Sequence, residues 1–186
     1  MKNIIFVCGS LRKGSYNRIY METMMQHVPE DWNIKEVSFK DVPVYNFDLE
    51  GDNEPQAVTT FRDALSEADG IIIVTPEYNT GVPGPLKNAI DWASRVKNKG
   101  DRSPLVNRPF AVAGCSPGAT GSALSQAQLR QTLTAMNAHI MPGPKLIIGK
   151  VHELITPEGK IEDQRSISYM ERFLNAFDEY IEKVNP

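Results

Sequence analysis

Apolar positions along the chain follow two rhythms in turn. "NIIFVCG" (3–9), "GIIIVTP" (70–76) and "PFAVAGCS" (109–116) are unbroken apolar runs rich in β-branched residues, the signature of strands buried on both faces. "WNIKEVSF" (32–39) alternates apolar and polar positions, which predicts a second strand near a sheet edge. "HIMPGPKLIIG" (139–149) holds a fifth strand. Between these runs the apolar period lengthens to that of a helix. Ser15 is placed to cap a helix reaching about His27 and ending before Pro29. Residues 55–68 predict a helix with Val58, Phe61, Ala64 and Leu65 on one face. Residues 84–96 predict another, with Pro85 in its first turn. Residues 121–138 predict a long helix with Leu124, Leu129, Leu133 and Met136 facing inward, and 163–184 a last one. Residues 41–55 read as loop.

Strand and helix in regular alternation imply an α/β domain: a doubly wound, five-stranded parallel sheet with helices on both faces and right-handed crossovers. Helices on both faces require the strand order to reverse, and ligands of such sheets lie at that reversal, beyond the carboxyl ends of the strands. Three connections are thereby singled out: those after the first, third and fourth strands.

The first, "GSLRKGSYNR" (9–18), lacks the G-x-G-x-x-G dinucleotide pattern. It also fails as a triphosphate loop. Gly9 and Gly14 have the right spacing, but Ser15 stands where a lysine is required. What remains is a run of backbone N–H groups, the hydroxyls of Ser10 and Ser15, the guanidinium of Arg12 and a helix N-terminus, which together suit a single phosphate monoester. Asn17 could add an amide donor. The alternative is an ordinary polar turn with a serine N-cap, and Lys13 and Arg18 read as solvated cations.

The second, "TPEYNTGVPGPLKNAIDW" (75–92), is stiffened by Pro76, Pro83 and Pro85. It would hold Glu77, Tyr78 and Asn79 at the carboxyl edge of the sheet, with backbone groups turned to the rim of a flat heterocycle and Tyr78 packing beside it. The alternative is a structural loop in which Tyr78 covers the core. Glu77 reads better as solvated or capping than as an acid–base group. Trp92 reads as helix core, and Lys87 and Asp91 as an unremarkable i,i+4 pair. The third, "CSPGATGSAL" (115–124), offers Ser116, Gly118 and Gly121 to the opposite side of that ring, or is a plain strand-to-helix turn capped by Thr120 or Ser122. One phosphate and one planar polar ring describe a mononucleotide such as FMN.

With 186 residues the chain has the size of one domain spanning 1–186, and its net charge of -3 gives no footing for nucleic acid. No apolar run has membrane-spanning length, and the N-terminus reads as a strand rather than a signal segment. Cys8 and Cys115 form no C-x-x-C or Cys/His cluster, so no metal site is expected and a reducing cytoplasm suits the chain. Cys115 reads as a small buried hydrophobe, and His27, His139 and His152 show no partner pattern.

"GSLRKGSYN" and "PEYNTGVPGPLKNAIDW", in this order, resemble the NADPH-dependent FMN reductase family, which includes quinone, chromate and azo-dye reductases. The resemblance covers about residues 3–140. It implies a flavodoxin-like fold with strand order 2-1-3-4-5, a tightly bound FMN, NADPH or NADH as hydride donor and a small-molecule electron acceptor. It also implies a homodimer or homotetramer with active sites near subunit contacts. By position, Ser10, Arg12, Ser15, Tyr16 and Asn17 would hold the phosphate and ribityl chain; Pro76, Glu77, Tyr78 and Asn79 would line the isoalloxazine; Ser116 and Gly118 would border it. A flavin brings its own redox chemistry, so the protein need only bind, orient and tune it, and no catalytic side chain is assigned. Quinones, azo and nitro compounds, chromate and free flavin are all admissible acceptors. The rivals on the same fold are a flavodoxin-like electron carrier without NAD(P)H turnover and a phosphate-binding hydrolase, which would need a nucleophile, a metal set or a P-loop lysine.

Overall fold

The computed structural model describes residues 1–185 other than 97 and 99. Its parallel sheet is built from β1 (Lys2–Cys8), β2 (Trp32–Glu36), β3 (Gly70–Val74), β4 (Pro109–Cys115), β5 (His139–Ile140) and β6 (Leu146–Ile148). The order is β2-β1-β3-β4-β5, with β6 also paired to β4. The chain steps outward from β1 to β2, then returns to the other side of β1 for β3, so the winding reverses between β1 and β3. This is the doubly wound, flavodoxin-like order.

The expected fifth strand is split. Ile140 pairs with Phe110, the chain leaves the sheet through Met141–Lys145, and Leu146 rejoins opposite Ala113. Pro142 and Pro144 lie in the gap, and neither has an N–H to give to a ladder. Two short strands therefore fill the position of one.

The helices are α1 (Tyr16–Met25), α2 (Gln56–Ser66), α3 (Gly84–Ala93), α4 (Ala123–Ala135) and α5 (Gln164–Val184). Successive strand residues point to opposite faces. Ile4, Phe6, Ile72 and Val74 pack with Met21 of α1 and Phe173 and Phe177 of α5. Ile5, Val7, Ile71 and Ile73 pack with Phe61 of α2, Leu86 of α3 and Leu129 of α4. On α2 all four expected inward residues are buried. On α4 Leu129 and Leu133 are buried but Leu124 is 52% exposed. Five residues before Leu129, at about 100° per residue, Leu124 lies roughly 140° around the helix from the buried stripe.

Residues 41–55 are more ordered than a plain loop. They contain two single 3-10 turns, Phe47–Leu49 and Gly51–Asn53. Trp92 Nε1 and Asn88 Nδ2 both donate to the Pro43 carbonyl, at 2.9 and 2.8 Å. Glu54 accepts from Arg62 and from Thr59 Oγ1, pinning the far end of the segment to α2.

Candidate active site

A cleft of about 260 Å³ opens at the carboxyl ends of β1, β3 and β4, where the winding reverses. Ser10, Arg12, Ser15, Tyr16 and Asn17 line one side; Pro76, Glu77 and Tyr78 line another; Cys115, Ser116 and Pro117 complete it. Three connections separated by sixty and forty residues in sequence thus meet at one place, because their strands are neighbours in the sheet.

The β1–α1 connection leaves its donors unspent. The N–H groups of Gly14, Ser15, Tyr16 and Asn17 meet no protein acceptor among the described residues. Ser15 occupies the N-cap of α1 but its hydroxyl makes no capping bond, in contrast to the expected serine cap. Ser10 and Ser15 are each 2% exposed, so both hydroxyls are presented from a fixed backbone. The Arg12 guanidinium donates to the Gly14 carbonyl at 3.0 Å and stacks over the Tyr16 ring, 5.2 Å from its centroid. Unpaired amides, hydroxyls and a cation at a helix N-terminus favour an anion with several acceptor oxygens, and this donor set fits a phosphate monoester.

Asn17 differs from its neighbours. Its Nδ2 donates to the Cys115 carbonyl at 2.9 Å, and its Oδ1 accepts from the Cys115 N–H at 3.0 Å. The side chain is 3% exposed and ties α1 to the end of β4, so it builds the floor of the cleft. Cys115 is fully buried in that floor. Burial pushes its thiol well above the ordinary cysteine range, and Cys8 is shifted the same way for the same reason. Neither is a thiolate nucleophile.

The β3–α3 connection is internally satisfied. Glu77 Oε2 accepts from the N–H groups of Leu124 and Ser125 at 2.8 and 3.0 Å, the second and third residues of α4. It caps a neighbouring helix, a role that sequence reading assigned to Thr120 or Ser122; Ser122 occupies the N-cap position without a capping bond. Tyr78 is 47% exposed, with its hydroxyl 3.3 Å from Ser10 Oγ, so the two connections touch across the cleft. Gly114 makes the close approach of the β3 and β4 connections possible: a Cβ there would collide with the Thr75 carbonyl and Ser122 Oγ.

Two expected residues lie outside the cleft lining. Asn79 sits at the tip of a tight turn with φ 50. Gly118 accepts from Lys150 N–H at 3.0 Å and belongs to the packing of the β4–α4 turn against the segment after β6. Sequence reading sets Cys115 close to the site as a buried small hydrophobe and does not single out Pro117; both line the cleft because β4 ends there. Trp92 is fully buried, and Lys87 pairs with Asp91 at 2.7 Å on the exposed face of α3, as expected.

A doubly wound sheet with an anion cradle after β1 and a stiff, aromatic-bearing loop after β3 defines a mononucleotide-binding protein of the flavodoxin-like class. The family profile described as NADPH-dependent FMN reductase matches residues 1–153. A quinone reductase of Escherichia coli strain K12 is 35% identical over 184 residues, covering 97% of this chain and 96% of that protein. An NAD(P)H-dependent FMN reductase of Pseudomonas aeruginosa is 33% identical over 181 residues, covering 97% and 96%. The structure of FerB, a flavoenzyme NAD(P)H:(acceptor) oxidoreductase from Paracoccus denitrificans, superposes with a TM-score of 0.88 at 34% identity over 98% of both chains. The chain belongs to the NADPH-dependent FMN reductase family, and is an oxidoreductase with FMN as its cofactor and NAD(P)H as its donor.

Proposed function

We propose that the cleft receives FMN with its phosphate in the β1–α1 cradle and its ring between the β3–α3 and β4–α4 connections, and that the enzyme reduces quinones. The observation that carries this reading is the division of the cleft into a donor-rich end and a stiff, donor-poor end. Ser10, Ser15, Arg12 and the first amides of α1 would hold the phosphate; Tyr16 would flank the ribityl chain. Pro76, Glu77 and Tyr78 on one side and Ser116 on the other would wall the ring. The bound flavin supplies two-electron chemistry between a nicotinamide and an acceptor. The protein's residues bind it, orient it and leave one side open, with Glu77 committed to α4 rather than to proton transfer.

Leu11 and Tyr78, from two of the connections that meet at the cleft, and Leu124, in the first turn of α4, are exposed large apolar residues. Flat, largely apolar acceptors suit such a rim, which favours quinones over chromate. A second copy of the chain completing the site, as homodimer or homotetramer, accords with Val44 and Phe47, which are 84% and 72% exposed on a segment pinned to α2 and α3. Among the described residues no helix is long and apolar enough to cross a membrane. Two buried, unpaired thiols suit a reducing compartment such as the cytoplasm.

The purified protein is expected to carry flavin absorbance, to be bleached anaerobically by NADPH or NADH, to regain colour on addition of a quinone, and to sediment as a dimer or tetramer. A protein that stays colourless after incubation with FMN refutes the reading. A flavin-bearing protein that neither nucleotide bleaches is a carrier instead.

A further inference from the structure

The turn that carries Tyr78 has a conformation its sequence resists. The Tyr78 N–H donates to the Gly81 carbonyl at 3.2 Å, and the Gly81 N–H to the Tyr78 carbonyl at 3.0 Å, closing a two-residue turn. Both central residues are left-handed, Asn79 at φ 50 and Thr80 at φ 62. Turns of this kind favour Asn-Gly; asparagine tolerates the first position, but a β-branched threonine at the second is an outlier. Such a conformation persists only where the surroundings over-determine it.

What over-determines it lies in the second turn of α4. The Gln128 carboxamide meets the turn with both of its ends. Its Oε1 accepts from the Val82 N–H at 3.2 Å, and its Nε2 donates to the Thr80 carbonyl at 3.3 Å. Gly81 leaves room for this approach, since a Cβ there would sit 2.9 Å from Gln128 Oε1. The helix that carries Gln128 is itself fixed to the same connection by Glu77, four residues before Gly81. Tyr78 is thus held between a capped helix on one side and Ser10 on the other.

We propose that Gln128 is a positioning residue for the redox reaction: its carboxamide locks the Tyr78–Gly81 turn in the left-handed form that Thr80 opposes, and so fixes the Tyr78 ring across the mouth of the cleft. Its effect on turnover rests on the FMN reading above; its hold on the turn does not. With the lock, the ring presents one face to an incoming flat molecule. Without it, Thr80 relaxes toward negative φ and the ring moves off that pose.

The test uses four forms of the full chain: wild type, Gln128→Ala, Gln128→Glu and the double variant Gln128→Ala with Thr80→Gly. Glycine at position 80 adopts the left-handed form without resistance, so it should make Gln128 dispensable. Each form carries 3-fluorotyrosine, with the Tyr78 resonance assigned by Tyr78→Phe. In the FMN-free protein, Gln128→Ala is expected to shift or broaden that resonance, Gln128→Glu to do so less, and the double variant to restore it. In the loaded enzyme, losing a solvent-exposed pair of hydrogen bonds is expected to raise KM for a naphthoquinone about threefold to tenfold with little change in kcat. The double variant should return KM to the wild-type value. An unchanged Tyr78 resonance in Gln128→Ala overturns the proposal, as does an effect that Thr80→Gly leaves unrepaired. Should the wild type take up no FMN, the reading of the cleft fails, and the resonance alone still decides whether Gln128 holds the turn.

Discussion

The β1–α1 and β3–α3 connections reach the same cleft from adjacent strands, yet they are built in opposite ways. The first leaves four successive amides and a serine hydroxyl without partners among the described residues and lets an exposed arginine rest on its own backbone. The second spends its polar groups on the protein: Glu77 on α4, Thr80 and Val82 on Gln128, Tyr78 on Gly81. Unspent donors are what a ligand anion needs, since buried or fixed N–H groups gain most from an acceptor that water does not already supply. Spent donors give rigidity. On the proposed reading the cleft has an end that binds and an end that shapes, and substitutions at the two ends should show up in different measurements.

Asn17 marks the boundary and should give the largest effect. It belongs to the binding connection by sequence but to the scaffold by its bonds, since both ends of its amide serve the Cys115 backbone. Asn17→Leu would bury an unpaired N–H and an unpaired carbonyl, at a cost of about 3 kcal/mol in the FMN-free protein. Urea unfolding with an unchanged m-value reads this directly. Asn17→Asp, which keeps the acceptor for the Cys115 N–H, recovers no full rescue because the donor is lost and a charge is buried. Should the FMN-free protein be indifferent to Asn17→Leu while FMN affinity collapses, Asn17 is a ligand contact and the boundary is misplaced.

Arg12 should give the next effect, with the opposite signature. It is exposed, and its guanidinium bonds the Gly14 carbonyl only two residues along the chain. Arg12→Ala is expected to leave FMN-free stability unchanged and to weaken FMN by about 1.5 kcal/mol, roughly tenfold, while riboflavin binding hardly moves. The figure is toward the lower end for a charged hydrogen bond because the guanidinium faces water. Fluorescence titration with the two flavins separates the phosphate from the ring; equal losses for both would remove Arg12 from the anion cradle.

The sequence made the sheet and the place of the cleft legible because both depend on coarse pattern. Apolar runs such as "GIIIV" have one stable location, and the reversal of winding follows from helices on two faces. Finer features depend on partners distant in sequence. Nothing near Glu77 announces that its carboxylate will serve Leu124 and Ser125, and Gln128 is a polar residue on an exposed helix face, where most positions are idle. Asn79 is expected at the ring by its place in the family motif; it sits in a two-residue turn at φ 50 and is not among the residues lining the cleft. The split of the last strand was obscured by the apolar run Leu146–Ile148, which reads as a continuation of His139–Ile140 unless the two prolines between are given full weight.

Glu77 should give the smallest of the three effects, and the one most revealing of the shaping end. A carboxylate at a helix N-terminus satisfies orphan amides and complements the positive end of the helix dipole. Here the cap comes from another connection, so the same bonds that stabilise α4 also hold the β3–α3 connection against it. Glu77→Ala is expected to cost about 1 kcal/mol of FMN-free stability, within the usual range for a lost N-cap. Glu77→Gln, which keeps an acceptor oxygen but not the charge, should recover more than half of that. The cap and the Gln128 lock act on one rigid unit, so the double variant Glu77→Ala with Gln128→Ala should cost less than the sum of the two single losses. Strict additivity would mean that the turn and the helix move independently, and the shaping end of the cleft would then be two elements rather than one.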